Sequence, residues 1–200
     1  MLYEKREKLK IFKKIEKLIA KFFVTLPFSP NFYTLLSLFF AFIAFSFLYF
    51  QKIIFGAIAY FIAIFLDFVD GTVARAKKLT SKKGAYLDTI IDRWVEIIIL
   101  LGLIFIPFPK FLFPPYFWIL LLLAGSLMTT YTKAAAKEKE IIKQELKGGL
   151  LERGERTFGI FIALLLAEFN SFYSILLISL LAILSILTAV QRCIKALSKA

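Results

Sequence analysis

The chain has 200 residues, 60% of them hydrophobic and 24 of them Phe, with a mean hydropathy of +0.80. That composition excludes an ordinary soluble domain and points to a polytopic membrane protein. The net charge of +12 would suit a nucleic-acid binder, but its clustering along the chain matches membrane topology instead. With no histidine, His-dependent triads, His bases and His-rich zinc sites are excluded, and a lone Cys193 leaves no intrachain disulfide.

Residues 1–27 are not patterned as a signal peptide, because Lys and Glu interrupt every apolar stretch. Ile11, Phe12, Ile15, Leu18, Ile19, Phe22 and Phe23 recur with helical period while lysines fill the other faces. This predicts an amphipathic juxtamembrane helix lying on the membrane surface. Pro27 and Pro30 then break the chain, with Ser29 or Asn31 placed to cap the first span.

Residues 28–200 read as one membrane domain without internal repeats. The first predicted span covers 32–50 and the second 53–75. The third covers 84–106, and Pro107, Pro109, Pro114 and Pro115 make an external turn after it. The fourth covers 116–132, and a charged stretch after it continues as helix before turning at Gly148 and Gly149. Spans five and six cover 157–169 and 172–191, joined by a short polar turn. Span five is short unless it begins near Leu150, which would carry Glu152, Arg153, Glu155 and Arg156 to the interface. The expected fold is all-α, with six transmembrane helices behind the N-terminal amphipathic helix.

Eight Lys and Arg fall in the first 27 residues, four in 76–83, seven in 133–156 and three after 190. Lys52 and Lys110 alone remain for the opposite side, since Arg75 and Arg93 flank the acidic stretch. The positive-inside rule therefore puts both termini on the cytoplasmic face. Basic segments beside the spans also suit anionic headgroups.

The stretch DFVDGTVARAKKLTSKKGAYLDTIID, residues 67–92, organises the rest. Asp67 and Asp70 are three apart and Asp88 and Asp92 four apart, so each pair shares one helix face. Ionisable residues in apolar spans are costly and mark function. The polar KKLTSKK between them cannot lie in lipid, so the two helices run antiparallel with both acidic pairs at one surface. Hard divalent cations would relieve the repulsion, and an all-oxygen set suits Mg²⁺ or Mn²⁺. Gly71 and Ala74 leave room for a ligand beside the helix, Arg75 offers a fork of donors to phosphate, and Gly84 permits tight re-entry into the membrane. The alternative is a structural cluster with Arg75 and Arg93 balancing the acids. Glu96 continues the face of Asp88 and Asp92, either pairing Arg93 or tuning the site.

Asp67, Asp70, Gly71, Ala74, Arg75, Gly84, Asp88 and Asp92 fill the pattern D-x2-D-G-x2-A-R-x8-G-x3-D-x3-D, which resembles the motif of the CDP-alcohol phosphotransferases. These are integral membrane enzymes of phospholipid synthesis. The resemblance implies six transmembrane helices, a homodimer and two divalent ions held by Asp67, Asp70, Asp88 and Asp92. It also implies that Asp92 acts as general base. Gly71 and Arg75 would contact the CDP moiety, with Ser81 a looser match. Pro30, Asn31, Phe32 and Tyr33 resemble the family's stretch bordering the cytidine. Further on, Lys133, Arg153 in an ER-x-ER segment, and Arg192 are similar to the branch that uses inositol 1-phosphate, where these cations hold the acceptor phosphate. Three cations at one face also make sense as a cradle for an anionic alcohol. Ordinary positive-inside charge is the alternative.

The reaction so implied joins CDP-diacylglycerol or CDP-archaeol to inositol 1-phosphate and releases CMP. The Lys/Glu/Ile-rich, His-free composition favours the ether lipid. Glycerol 3-phosphate is the alternative acceptor within the family. A divalent-cation or proton-coupled transporter is the alternative outside it, weakened because the intramembrane acids sit at one end of two helices.

Overall fold

The computed structural model describes residues 16, 18–142 and 148–198. Six helices come after a helical stretch at 18–23: α1 (Pro30–Tyr49), α2 (Ile53–Ala76), α3 (Lys82–Leu103), α4 (Pro115–Glu138), α5 (Arg153–Phe169) and α6 (Ser171–Leu197). Beyond helices, the described residues hold one isolated bridge, Phe111 to Phe113. The chain is all-α as expected.

Four helices, α1, α2, α4 and α6, are long and apolar enough to cross a bilayer. The other two fall short for different reasons. α3 carries Asp88, Asp92, Arg93 and Glu96 through its middle, and α5 has only 17 residues and opens on charged ones. A helix of that length covers about 26 Å, slightly less than a hydrocarbon core.

Helix ends obey local chemistry. α1 opens at Pro30, where the missing N–H is no loss, so Ser29 stands just before the helix and Asn31 lies inside its first turn. Ser81 precedes α3 and its Oγ accepts from the Gly84 N–H at 3.0 Å, a regular N-cap. α4 begins with Pro115, and Trp118 Nε1 donates to the Phe111 carbonyl at 2.8 Å, pinning the proline-rich turn. α5 and α6 are separated by Asn170 alone, whose Oδ1 accepts from Phe172 N and Tyr173 N.

The described residues form two compact units. One comprises residues up to 41 with 61–95. Its core is Tyr33, Leu66, Val69 and Val73, against which Ile19, Phe23, Leu36, Phe40, Ile62 and Phe65 pack. The 3–4 spacing of Ile62, Leu66, Val69 and Val73 makes one face of α2. The predicted amphipathic helix is only partly within the described residues, since Ile11, Phe12 and Ile15 are outside them. Of the rest, Ile19 and Phe23 turn into this core while Leu18 and Phe22 are exposed. Lys77 Nζ donates to the carbonyls of Leu26 and Phe28, holding that incoming chain to the end of α2.

The other unit comprises 42–60 with 96–200. Here Leu48 is fully buried where a Cβ on either Gly56 or Gly102 would strike it, at 2.5 and 2.8 Å. α4 and α6 pack along their lengths, with Gly125 so close to Ser185 that a Cβ would lie 2.7 Å from the serine's own. α5 meets α6 through Gly159 against Leu181 and through Ser174 Oγ donating to the Ala163 carbonyl at 2.6 Å. Lipid offers no hydrophobic drive between helices, so small residues and interhelical hydrogen bonds hold them together. Large apolar side chains such as Phe39, Phe42, Leu120 and Leu180 are accordingly exposed.

Candidate functional site

The last third of α2 and the first third of α3 lie in one unit and bring the acidic motif together. Carboxylate oxygens of Asp67, Asp70 and Asp88 fall within 4.8 Å of one another. Asp70 is buried, and the Thr34 hydroxyl of α1 donates to its Oδ2 at 2.6 Å. Three carboxylates this close offer the all-oxygen donor set that suits a hard divalent cation. Asp92 is also buried but is not a member of the close group. It lies one helical turn beyond Asp88.

A cavity of about 170 Å³ opens beside these acids, lined by Asp70 and Asp88. Pro30, Asn31, Gly71, Ala74, Arg75, Ser81 and Gly84, all singled out in the sequence, line it too. Phe32 and Tyr33 do not line it: Phe32 stacks on Phe28, and Tyr33 belongs to the core. Thr34, Leu79, Thr80 and Ala85 complete the walls and were not anticipated. A threonine four residues after a helix-opening proline carries no distinguishing pattern, so only the fold reveals Thr34.

Two glycines have local reasons. A Cβ on Gly71 would lie 3.2 Å from Arg75 Nη1, so the guanidinium itself occupies the space that glycine leaves. A Cβ on Gly84 would lie 3.1 Å from the capping Ser81 Oγ and 3.4 Å from Asn31 Oδ1. Arg75 also pairs with Glu16, its Nε and Nη2 reaching one carboxylate oxygen at 2.9 and 2.8 Å. Glu16 sits among alternating Lys and apolar residues, and nothing in the sequence singled it out.

The predicted acceptor residues all belong to the other unit. Arg192, near the end of α6, donates from Nη1 to the Thr129 carbonyl at 2.9 Å and from Nε to the Gly148 carbonyl at 3.3 Å. Thr129 is one turn before Lys133 on α4, so Arg192 ties the end of α4 to the segment entering α5. That segment is further held where Leu151 N donates to Thr188 Oγ1 at 3.0 Å. Glu152 and Glu155 form a capping box, leaving half-buried Arg153 as the first residue of α5. The two arginines of ER-x-ER differ sharply: Arg156 is 1% exposed and committed to Glu96, while Arg153 is not buried. Glu96 thus pairs with an arginine 60 positions away rather than solely serving the acidic face.

Residues 28–191 match the family described as CDP-alcohol phosphatidyltransferase. An archaetidylinositol phosphate synthase from Pyrococcus horikoshii is 34% identical over 182 residues, covering 87% of this chain and 86% of the relative. A bifunctional IPC transferase and DIPP synthase from Aquifex aeolicus is 32% identical over 171 residues, and there the match spans 83% of this chain but only 39% of the relative. Among solved structures, a Mycobacterium tuberculosis phosphatidylinositol phosphate synthase in complex with manganese and citrate superposes with a TM-score of 0.78 at 25% identity, covering 92% of this chain and 89% of the other. The same synthase with CDP-DAG bound gives 0.77 at 24% identity, covering 92% and 94%, a likeness of fold.

Proposed function

The chain belongs to the CDP-alcohol phosphatidyltransferase family, and on that footing we propose that it transfers the phosphatidyl or archaetidyl group of a CDP-linked lipid to inositol 1-phosphate, releasing CMP. The observation that carries the chemistry is the close group of Asp67, Asp70 and Asp88 beside a cavity walled by Gly71, Ala74 and Arg75. A manganese complex of a similar synthase supports the same choice of ion.

Asp67, Asp70 and Asp88, with Asp92 as a fourth donor, would hold two Mg²⁺ or Mn²⁺ ions, which supply charge neutralisation for a diphosphate and for the departing CMP. Thr34 keeps Asp70 oriented by donating to it. Arg75 offers its remaining guanidinium N–H groups to the diphosphate, fixed by Glu16 on one edge. Asn31, Ser81 and Gly84 border the nucleotide. An Asp92 oxygen takes the proton of the acceptor hydroxyl as that oxygen bonds to the lipid-side phosphorus, and the bond from phosphorus to the CMP oxygen breaks. Lys133, Arg153 and Arg192 hold the acceptor's own phosphate by charge-assisted contacts.

The protein is a multi-pass membrane protein. In the same reading α3 and α5 cross with the other four helices, both termini and the site face the cytoplasm, and the working unit is a homodimer. The acceptor assignment draws on the three cations and on the Pyrococcus relative. Supplying purified protein with CDP-archaeol or CDP-diacylglycerol and, in parallel, labelled inositol 1-phosphate, glycerol 3-phosphate, serine or free inositol tests it. Labelled lipid is expected with inositol 1-phosphate. Preference for glycerol 3-phosphate or for an uncharged alcohol would overturn the acceptor and leave the family chemistry standing.

A further inference from the structure

Arg156 is the largest fully buried side chain among the described residues. Its Nε donates to Glu96 Oε1 at 2.5 Å and its Nη2 to Oε2 at 3.3 Å, a two-point grip between α5 and α3. Tyr60 of α2, 1% exposed, adds a hydroxyl contact to the Thr157 carbonyl at 3.4 Å. Three helices thus meet around one buried ion pair. A buried ion pair is a poor way to gain stability, because apolar residues of similar volume do as well or better. What it does supply is direction, since the planar guanidinium accepts a carboxylate at a defined angle.

Direction matters here because the segment entering α5 is anchored through backbone groups, the Gly148 carbonyl on Arg192 and Leu151 N on Thr188, which do not themselves fix the rotation of the first turn of α5. Gly148 and Gly149 have φ of +86° and +151°, and a Cβ at Gly154 would touch nothing within 4 Å. Gly149 is packed where a Cβ would strike Thr188, whereas Gly154 adds backbone freedom in the first turn of α5 itself. Its first turn carries Arg153, three residues before Arg156 and on the same turn. A misplacement of an ångström at a contact group is enough to lose most of its effect.

We propose that Glu96 is a positioning residue for the acceptor: by gripping Arg156 through two nitrogens it sets the rotation of the first turn of α5, and so the place where Arg153 meets the acceptor phosphate. This role acts through Arg156 on Arg153, so it rests on the assignment of Arg153 to that phosphate.

Purified Arg153→Gln, Glu96→Gln, Arg156→Lys and the double variant Glu96→Leu with Arg156→Met are compared by kinetics with both substrates varied, alongside thermal unfolding in the same detergent. Glu96→Gln and Arg156→Lys are expected to raise the acceptor KM roughly threefold to thirtyfold while the CDP-lipid KM stays within about twofold. The double variant is expected to unfold at or above the parent temperature yet keep the raised acceptor KM, because apolar packing restores stability without the angular constraint. Recovery of the parent acceptor KM in the double variant would overturn the proposal, as would an equal rise in both KM values. If none of the Glu96 or Arg156 variants folds, the pair is required for the fold itself and the positioning role falls. Arg153→Gln separates the two claims: an unchanged acceptor KM there removes Arg153 from the acceptor site, whereas a raised one with unaffected Glu96 variants removes Glu96 alone.

Discussion

Two regions of this chain take charge into an apolar interior and handle it in opposite ways. At the end of α2 and the start of α3, Asp67, Asp70 and Asp88 gather like charges with oxygens within 4.8 Å of one another. Around the first turn of α5, Arg156 is matched to Glu96 almost atom for atom. A cluster of like charge is unfavourable until an ion joins it, so it is built for binding. A matched pair balances its own charge, so it suits placing something else. The way the charge is offset separates the chemistry proposed for one region from the scaffolding of the other.

Disrupting the acidic side should have the largest effects. Asp92→Asn removes the proposed proton acceptor while keeping shape, and turnover is expected to fall about 10²- to 10⁴-fold. Binding of the CDP-lipid, measured by equilibrium titration, should fall far less. Equal losses in turnover and binding would leave Asp92 a metal donor alone and remove its role as base.

On the basic side, Lys133→Gln is expected to raise the acceptor KM about tenfold to a hundredfold, the worth of one charge-assisted contact. The CDP-lipid KM should hardly move. A variant that weakens both substrates alike would dissolve the division of labour between the two regions.

The smallest effect is expected at the support of the acidic group. Thr34→Val removes the hydroxyl that donates to Asp70 at 2.6 Å and keeps the volume. Metal affinity, measured from the Mn²⁺ dependence of activity, is expected to drop roughly twofold to tenfold. No change would show that Asp70 needs no help from α1.

Much of the acidic region could be read from residues alone. Asp67, Asp70 and Asp88 declared themselves because carboxylates in apolar spans are rare and their spacing fixes a shared face. Gly71, Arg75, Ser81 and Gly84 came with the motif, although Gly71 and Ser81 turn out to serve local geometry as well: one clears space for Arg75, the other caps α3. Helix starts were legible too, since apolar runs and prolines set them within about four residues, whereas α4 and α6 run six residues past the predicted spans.

What stayed hidden depends on long-range pairing. Glu96 and Arg156 lie 60 residues apart, and each has nearer charges that periodicity favours as partners. Glu16 and Thr34 carry no signature of their own and gain meaning only from Arg75 and Asp70. The six-span expectation meets four helices that qualify by length and apolarity, because charged residues within α3 and at the start of α5 lower the apolar signal there.

On the proposed function, the acidic group works by holding divalent metal. The decisive experiment is release of CMP from CDP-lipid by the purified protein, in the presence of inositol 1-phosphate, first in excess chelator and then after Mn²⁺ or Mg²⁺ is restored. No turnover is expected in chelator, with full recovery on adding the metal and recovery lost in Asp70→Asn. Undiminished turnover in chelator would contradict the metal-dependent chemistry.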